Sequence, residues 1–327
     1  MSDGTQPGDR LHPKAEVAAR IQGALDGAVL GQRAATEALL AAYMAGGHAL
    51  LEGVPGIGKT LLARAFAACL GLRFARIQFT PDVMPTDLLG MNVFEPASRT
   101  FRLTRGPVFT QVLMADEVNR TPPRTQSALL EAMQERQVTI DGVSHALEPE
   151  FFVMATENPV EFEGTYPLPE AQLDRFLLKI EMGFPDAASE IELYRRAVGG
   201  ELGGWNAGRL PEGMVSVEDA RALRSASREV HVSAELLPYL SALAEAVRRS
   251  PHVELGVSPR GALSLLETSR AAALLAGRDF VLPDDIKKFL VPCWGHRVIV
   301  KAESELEGQT AAQVLGQAAA SVEVPHR

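Results

Sequence analysis

Residues Gly53-Val54-Pro55-Gly56-Ile57-Gly58-Lys59-Thr60 read G-x-x-x-x-G-K-T, and they lie between an apolar run, Ala49-Leu50-Leu51, and a helical pattern that opens at Leu61-Leu62-Ala63. A strand delivers this loop and a helix leaves it, which is the setting that a phosphate-binding loop requires. The glycines let backbone N–H groups turn inward, and the helix N-terminus adds its positive end. Lys59 reaches the β and γ phosphates and Thr60 supplies a hydroxyl for Mg²⁺, so the cofactors expected are ATP and Mg²⁺. The loop residues Gly53, Val54, Pro55, Gly56, Ile57, Gly58, Lys59 and Thr60, with Leu61 just beyond, form the expected nucleotide-holding set.

The loop also constrains the chain around it. Helical periodicity runs over Ala15–Leu25 and Arg33–Met44, so two helices precede the first strand. Strand candidates then alternate with amphipathic helices: Phe74–Phe79, Gln111–Ala115, Phe151–Ala155 and Phe176–Ile180, with a clear helix over Thr125–Arg136. Such alternation calls for a parallel sheet wrapped by helices. Two stretches break it and read as hairpins, Met91–Thr104, turning near Pro96–Arg99, and Gln137–Leu147, turning at Asp141-Gly142 in a type I′ pattern.

Beyond Pro185 the strands stop and helical periods dominate, over Ala187–Ala197, Val217–Val230, Ala234–Arg248, Pro259–Ala276 and Asp284–Phe289. The expected organisation is therefore a tail over residues 1–12, an α/β nucleotide-binding core over 13–185 and an all-helical unit over 186–327. The glycine-rich break from Gly199 to Gly204 is read as a loop inside that second unit.

A composition of 46% hydrophobic and 22% charged residues is that of a globular chain. The net charge of −9 provides no overall basic field for a nucleic-acid backbone, so nucleic acid is not the expected partner. The two cysteines, Cys69 and Cys293, lack metal-ligand spacing and read as buried thiols of a reduced compartment. No apolar stretch reaches membrane-spanning length and the first twelve residues are polar, so a cytoplasmic location is expected.

Hydrolysis needs an acid for the metal, a group to position water and cations for the charge developing on the phosphoryl oxygens. Val112-Leu113-Met114-Ala115 is a buried-strand run that ends in Asp116-Glu117, which puts two carboxylates at the carboxyl edge of a strand. Asp116 is the metal acid in this reading, acting through water, and Glu117 polarises the attacking water. Val153–Thr156 leads likewise to Glu157-Asn158-Pro159, placing the Asn158 amide within reach of a γ-phosphate or the water. Arg175 adjoins a strand start, and Arg260 stands at a helix N-terminus behind Ser258-Pro259. Taken singly, each arginine is ordinarily a surface ion pair. An arginine at a helix N-terminus gains nothing from the helix dipole, so an anionic partner is the attractive explanation for Arg260.

In order along the chain, Gly53–Thr60, Leu113–Arg120, Pro123–Gln126, Ala128–Met133, Ala155–Pro159, Gly164–Phe176 and Ser258–Arg260 closely resemble the MoxR family of AAA+ ATPases. The most specific stretches are Ala115-Asp116-Glu117-Val118-Asn119-Arg120 and Tyr166–Phe176, and the match runs from about Val29 to about Arg297. The resemblance implies a P-loop AAA+ core with a five-stranded parallel sheet, inserted β-hairpins and a helical lid, assembled into a ring that is usually hexameric. By the same similarity Asn158 corresponds to sensor 1, Arg175 to the arginine finger offered to the adjacent subunit's ATP, and Arg260 to sensor 2. Gly31-Gln32 corresponds to the segment beside the adenine.

The function expected is that of an ATP-hydrolysing, chaperone-like remodeller that matures or activates partner proteins, since the family commonly works with von Willebrand factor A domain proteins. Two other readings stay open at this point. One is a nucleotide-gated binding scaffold, and the other is a motor subunit resembling those of magnesium chelatase or of rings that move on nucleic acid.

Overall fold

The chain begins with two helices, α1 (Ala15–Ala28) and α2 (Arg33–Met44), followed by β1 (Ala49–Glu52), α3 (Lys59–Cys69) and β2 (Phe74–Gln78). A short α4 (Pro85–Leu89) leads into the hairpin β3 (Gly90–Glu95) and β4 (Thr100–Arg105). After it come β5 (Val112–Asp116), a single 3-10 turn over Val118–Arg120 and α5 (Pro123–Glu135). The second hairpin, β6 (Gln137–Ile140) and β7 (Val143–Ala146), precedes β8 (Phe152–Glu157), α6 (Glu170–Leu173) and β9 (Leu178–Glu181). This is a computed structural model, and it describes residues 14–159, 164–200 and 214–325. The expected tail over 1–12 and positions 201–204 of the glycine-rich break lie outside the described residues.

Five strands pair in parallel in the order β2-β5-β8-β1-β9. The strand that feeds the phosphate loop is therefore interior, with Glu52 in register with both Glu157 of β8 and Glu181 of β9. Central strands of such a sheet are covered on both faces and read as continuous apolar runs, and β5 is buried at all five positions. Alternate residues feed two cores. Ala49, Leu51, Val112, Met114, Phe152 and Met154 point into the layer that holds α1, α2, α3 and the lid. Leu50, Leu113, Ala115, Val153 and Ala155 point into the layer of α5 and the hairpins.

Both hairpins form where the sequence puts them. Asp141 and Gly142 adopt φ of 49° and 80°, the double left-handed conformation that a two-residue type I′ turn needs.

The remainder of the chain is α7 (Ala187–Val198), α8 (Val217–Glu229), α9 (Leu236–Arg249), β10 (Val253–Leu255), α10 (Pro259–Leu275), α11 (Pro283–Trp294), β11 (Ile299–Val300), α12 (Ala302–Leu306) and α13 (Ala311–Ser321). The expectation that strands stop beyond Pro185 is corrected here. The antiparallel ribbon β10-β11 ties the end of α9 to the chain after α11, and His231 bridges Phe280. Three- and two-residue strands carry too little alternation to register in a periodicity reading. No helix among the described residues is long and apolar enough to cross a membrane.

Arg297 fixes the lid to the core. Its side chain is 4% exposed, and it donates to the Asp174 carboxylate at 2.7 Å, to Phe176 O at 2.7 Å and to Leu177 O at 3.1 Å. All three partners lie at the start of β9, and the neighbouring His296 ring also meets Phe176 O at 3.0 Å. Removing one side of a buried, hydrogen-bonded charge pair leaves the other unsatisfied. Arg297→Ala is expected to lower stability by about 3 kcal/mol, read as the denaturant midpoint, with the lid losing amide protection before the sheet; uniform protection loss would show that the lid is held by its apolar contacts alone.

His48, just before β1, is buried between cores. Its Nδ1 accepts from the Val153 N–H at 3.0 Å and its Nε2 faces Met133 O at 3.1 Å, a pairing that requires the neutral ring. Burial, with Arg136 nearby, pushes its pKa down to about 3 from 6.5. The unfolded chain therefore takes up a proton below pH 6.5 that the folded chain refuses. Stability is complete above that pH and is lost on descent toward pH 3, by at most about 1.4 kcal/mol per pH unit for this group. His48→Gln, which keeps an acceptor and a donor, should flatten the fall of melting temperature between pH 6.5 and 4; an unchanged slope would assign the acid sensitivity to other groups.

Candidate active site

The loop after β1 turns on glycines. Gly56 and Gly58 have φ of 86° and 96°, and α3 starts at Lys59 directly behind Gly58, so its first N–H groups face the loop. A Cβ on Gly53 would lie 2.3 Å from Ile57 Cδ1 and 2.6 Å from Met182 O, so only glycine fits between the loop and the strand beside it. Lys59 Nζ donates to Gly53 O at 2.5 Å and to Glu157 O at 3.1 Å, which holds the ammonium inside the cradle. Thr60 and Leu61 occupy the first turn of α3, and Val54 and Leu61 pack on the core below.

Two turns flank the loop. Gly31, at φ 72°, presses against Pro185, which a Cβ would approach to 2.6 Å. Gln32 is buried and donates its amide to Gly183 O at 2.7 Å. Val29 reaches within 3.9 Å of where a Cβ of Gly58 would stand. The Gly31-Gln32 segment thus sits beside the cradle.

The acids lie two strands away on the same edge. Asp116 ends β5 and is 8% exposed. Thr156, on the intervening β8, donates its hydroxyl to Asp116 Oδ1 at 2.6 Å and accepts from the Glu117 N–H at 2.8 Å. Glu117 adopts φ 58° and ψ 51°, a left-handed backbone that is strained for a non-glycine residue and is typical of functional sites. Its Oε2 accepts from Gln78 Nε2 at 2.8 Å and pairs with Arg120 Nε at 3.1 Å. Asn158 follows β8 and is buried; because Glu157 is in register with Glu52, it adjoins Gly53.

Arg175 and Arg260 are elsewhere. With Gly46, Gly47, His48, Leu177 and Arg297 they line a cavity of about 210 Å³ at the amino ends of β1 and β9. The four-residue β1 separates it from the loop by roughly 13 Å. Arg260 stands in the first turn of α10, where the Ser258 hydroxyl caps the Gly261 N–H at 3.1 Å. Among the described residues neither guanidinium has a hydrogen-bond or ion-pair partner, whereas Arg297 in the same wall holds Asp174. The structure therefore gathers the loop, Asp116, Glu117 and Asn158 at one edge of the sheet, and Arg175 with Arg260 at the other.

The cradle fits a nucleotide with its metal. Left-handed glycines and a helix start suit a phosphate chain, and a hydroxyl with a carboxylate is the hard-oxygen donor set that Mg²⁺ prefers. Mg²⁺, when bound, neutralises charge on the phosphate oxygens. Lys59 and the loop N–H groups would hold the phosphates, and Thr60 with Asp116 would supply the oxygens for the metal, with Glu117 beside them at the same edge.

Sequence reasoning missed the residues that hold the acids: Arg76, Gln78, Thr156 and Arg120. The available signal was the alternation of Phe74-Ala75-Arg76-Ile77-Gln78, which puts Arg76 and Gln78 on one face of an edge strand.

A loop of this form on the interior strand, with two acids on a strand beyond its neighbour, defines a P-loop ATPase of the AAA class. Residues 48–178 match the family described as ATPases associated with various cellular activities, and residues 245–318 match the AAA lid domain. Chaperone MoxR1 of Mycobacterium tuberculosis is 39% identical over 284 residues, covering 83% of this chain and 73% of its own. Protein MoxR of Paracoccus denitrificans is 32% identical over 332 residues, covering 93% and 95%. The crystal structure of an ATPase candidate from Cytophaga hutchinsonii shares 38% identity and a TM-score of 0.87 over 96% of each chain. The chain belongs to the MoxR family of AAA+ ATPases, in which ATP hydrolysis and ring assembly are general properties.

The steric argument at Gly53 is directly testable. Gly53→Ala should weaken ATP binding at least about tenfold, since overpacking of this kind typically amounts to 1–3 kcal/mol. Gly183→Ala, where a Cβ meets nothing within 4 Å, should bind like wild type; equal titration calorimetry isotherms for the two variants would remove the cradle argument.

Proposed function

We propose that the protein is a Mg²⁺-dependent ATPase working as a ring, in which each ATP is cleaved at a junction between two copies. The observation that carries this reading is the separation of Arg175 and Arg260 from their own phosphate loop, together with their lack of partners among the described residues. A cavity that presents two unpaired guanidiniums calls for an anion. A neighbouring copy that sets its loop against this cavity supplies one, the phosphate chain of its bound ATP. Arg175 then serves as the arginine finger, and Arg260 acts from the same side, across the junction.

Within the loop-bearing subunit, Thr60 and Asp116 hold the metal, Glu117 orients water and Asn158 senses the γ-phosphate. Arginines offered across a junction are worth on the order of 10³ to 10⁵ in rate in related chemistry, so an isolated copy binds ATP and barely cleaves it. We further propose a hexamer, and a remodelling role on partner proteins that include von Willebrand factor A domain proteins. The chaperone named among the relatives and the family resemblance support that role. So do the exposed apolar side chains of the first hairpin, Val93, Phe94 and Phe101, which offer a place for a client.

Mixed assemblies test the junction. Arg175→Ala and Arg260→Ala should each bind ATP normally and lose about 10³-fold in turnover. Mixing either one with Lys59→Ala should restore activity, because a subunit with an intact loop then meets a neighbour with intact arginines. A mixture that stays inactive would place the arginines at their own subunit's ATP.

A further inference from the structure

The metal-holding acid is already engaged. Arg76, on the edge strand β2, donates to Asp116 Oδ2 through Nε at 3.1 Å and through Nη2 at 2.6 Å. The same Nη2 donates to Gln78 Oε1 at 2.7 Å, and Gln78 Nε2 donates in turn to Glu117 Oε2 at 2.8 Å. A single hydrogen-bonded line thus runs from Asp116 through Arg76 and Gln78 to Glu117. With Thr156 on Oδ1, three of about four acceptor positions of the Asp116 carboxylate are filled. Arg76 is 45% exposed at its side chain and Asp116 11%, so the guanidinium can swing outward into solvent while the carboxylate stays in place.

We propose that Arg76 is a positioning residue, an internal counter-ion that competes with the divalent cation for Asp116 and ties the release of that carboxylate to the release of Glu117. This rests on the reading of Asp116 as the metal acid. Two cations facing one carboxylate repel each other, so Arg76 on Oδ2 weakens the hold of Asp116 on a metal, and its departure from Oδ2 strengthens that hold. Leaving Oδ2 also moves the Nη2 that orients the Gln78 amide. Gln78 then loosens its hold on Glu117 Oε2, and the water-positioning carboxylate becomes free to turn when the metal acid is in use. Between turnovers, the same contacts keep two neighbouring carboxylates at the sheet edge from repelling one another.

The test is the Mg²⁺ concentration that half-saturates binding of a fluorescent, non-hydrolysable ATP analogue, measured for the full chain beside affinity for the same analogue without Mg²⁺. Arg76→Gln removes the charge and should lower the half-saturating Mg²⁺ concentration about threefold to tenfold, leaving the Mg²⁺-free affinity unchanged. Arg76→Lys keeps a cation beside Asp116 and should stay close to wild type. Asp116→Asn should abolish most of the Mg²⁺ dependence. An unchanged or raised Mg²⁺ requirement in Arg76→Gln, or a Lys variant that behaves like the Gln variant, would overturn the counter-ion role while leaving the metal acid standing. If Asp116→Asn keeps the full Mg²⁺ dependence, it is the metal-acid reading itself that fails. Melting curves of each variant separate these outcomes from loss of fold.

Discussion

Arg297 decides where the lid sits, and much of the site's logic follows from that. One guanidinium, nearly closed to solvent, reaches from the end of α11 to the Asp174 carboxylate and to main-chain oxygens at the start of β9. A buried arginine with several charge-assisted bonds is costly to break and directional, so the lid is anchored at the amino edge of the sheet. Trp294 strengthens the joint by donating its indole N–H to Gly261 O at 2.8 Å, which ties α11 to the first turn of α10. Arg260 lies in that same turn. Its position beside Arg175 is thus a consequence of how α10 and α11 are locked to β9, and its distance from the loop follows from the length of β1.

The opposite edge is organised by strand order. Because β8 separates β5 from β1, Thr156 can hold Asp116 on one side while Glu157 offers its carbonyl to Lys59 on the other. Asp116, Lys59 and Asn158 are thereby fixed relative to one another by parallel pairing alone, without any loop having to fold over them. The strain at Glu117 is held by the same frame. Its N–H is bound to Thr156 and its carboxylate to Gln78 and Arg120, so the left-handed backbone is over-determined by neighbours on three elements.

Most of this edge is legible in the sequence because it is local. The loop, the apolar run that ends at Asp116-Glu117 and the Asp141-Gly142 turn each carry their chemistry within a few residues, and strand or turn geometry follows from residue type. What escapes is long-range. Nothing near Arg76 in sequence points to Asp116, forty positions on; the link exists because β2 pairs with β5 and places Gln78 opposite Asp116. The amino-edge meeting of Arg175 and Arg260 depends on the docking of a lid whose helices are separately predictable while their placement is not. The ribbon β10-β11 and the five-residue α12 escape because two- and three-residue strands and single-turn helices barely perturb a periodicity reading.

The arginines around the site fall into two groups, and the difference between them bears on how the protein works. Arg76, Arg120 and Arg297 each have a carboxylate partner within the chain, whereas Arg175 and Arg260 have none among the described residues. In a chain of net charge −9, surface acids are plentiful, so leaving two guanidiniums unpaired in one cavity is not forced by composition. Arg76 and Arg120 neutralise the acids that would otherwise repel each other at the carboxyl edge, and Arg297 is committed to the lid joint at the amino edge; under the proposed junction, the unpaired pair keeps its charge for an anion from outside. A single copy has its acids occupied at one edge and its unpaired guanidiniums at the other, and the proposed junction would bring the loop of one copy to the cavity of the next. On that proposal, hydrolysis is tied to assembly through the placement of charge.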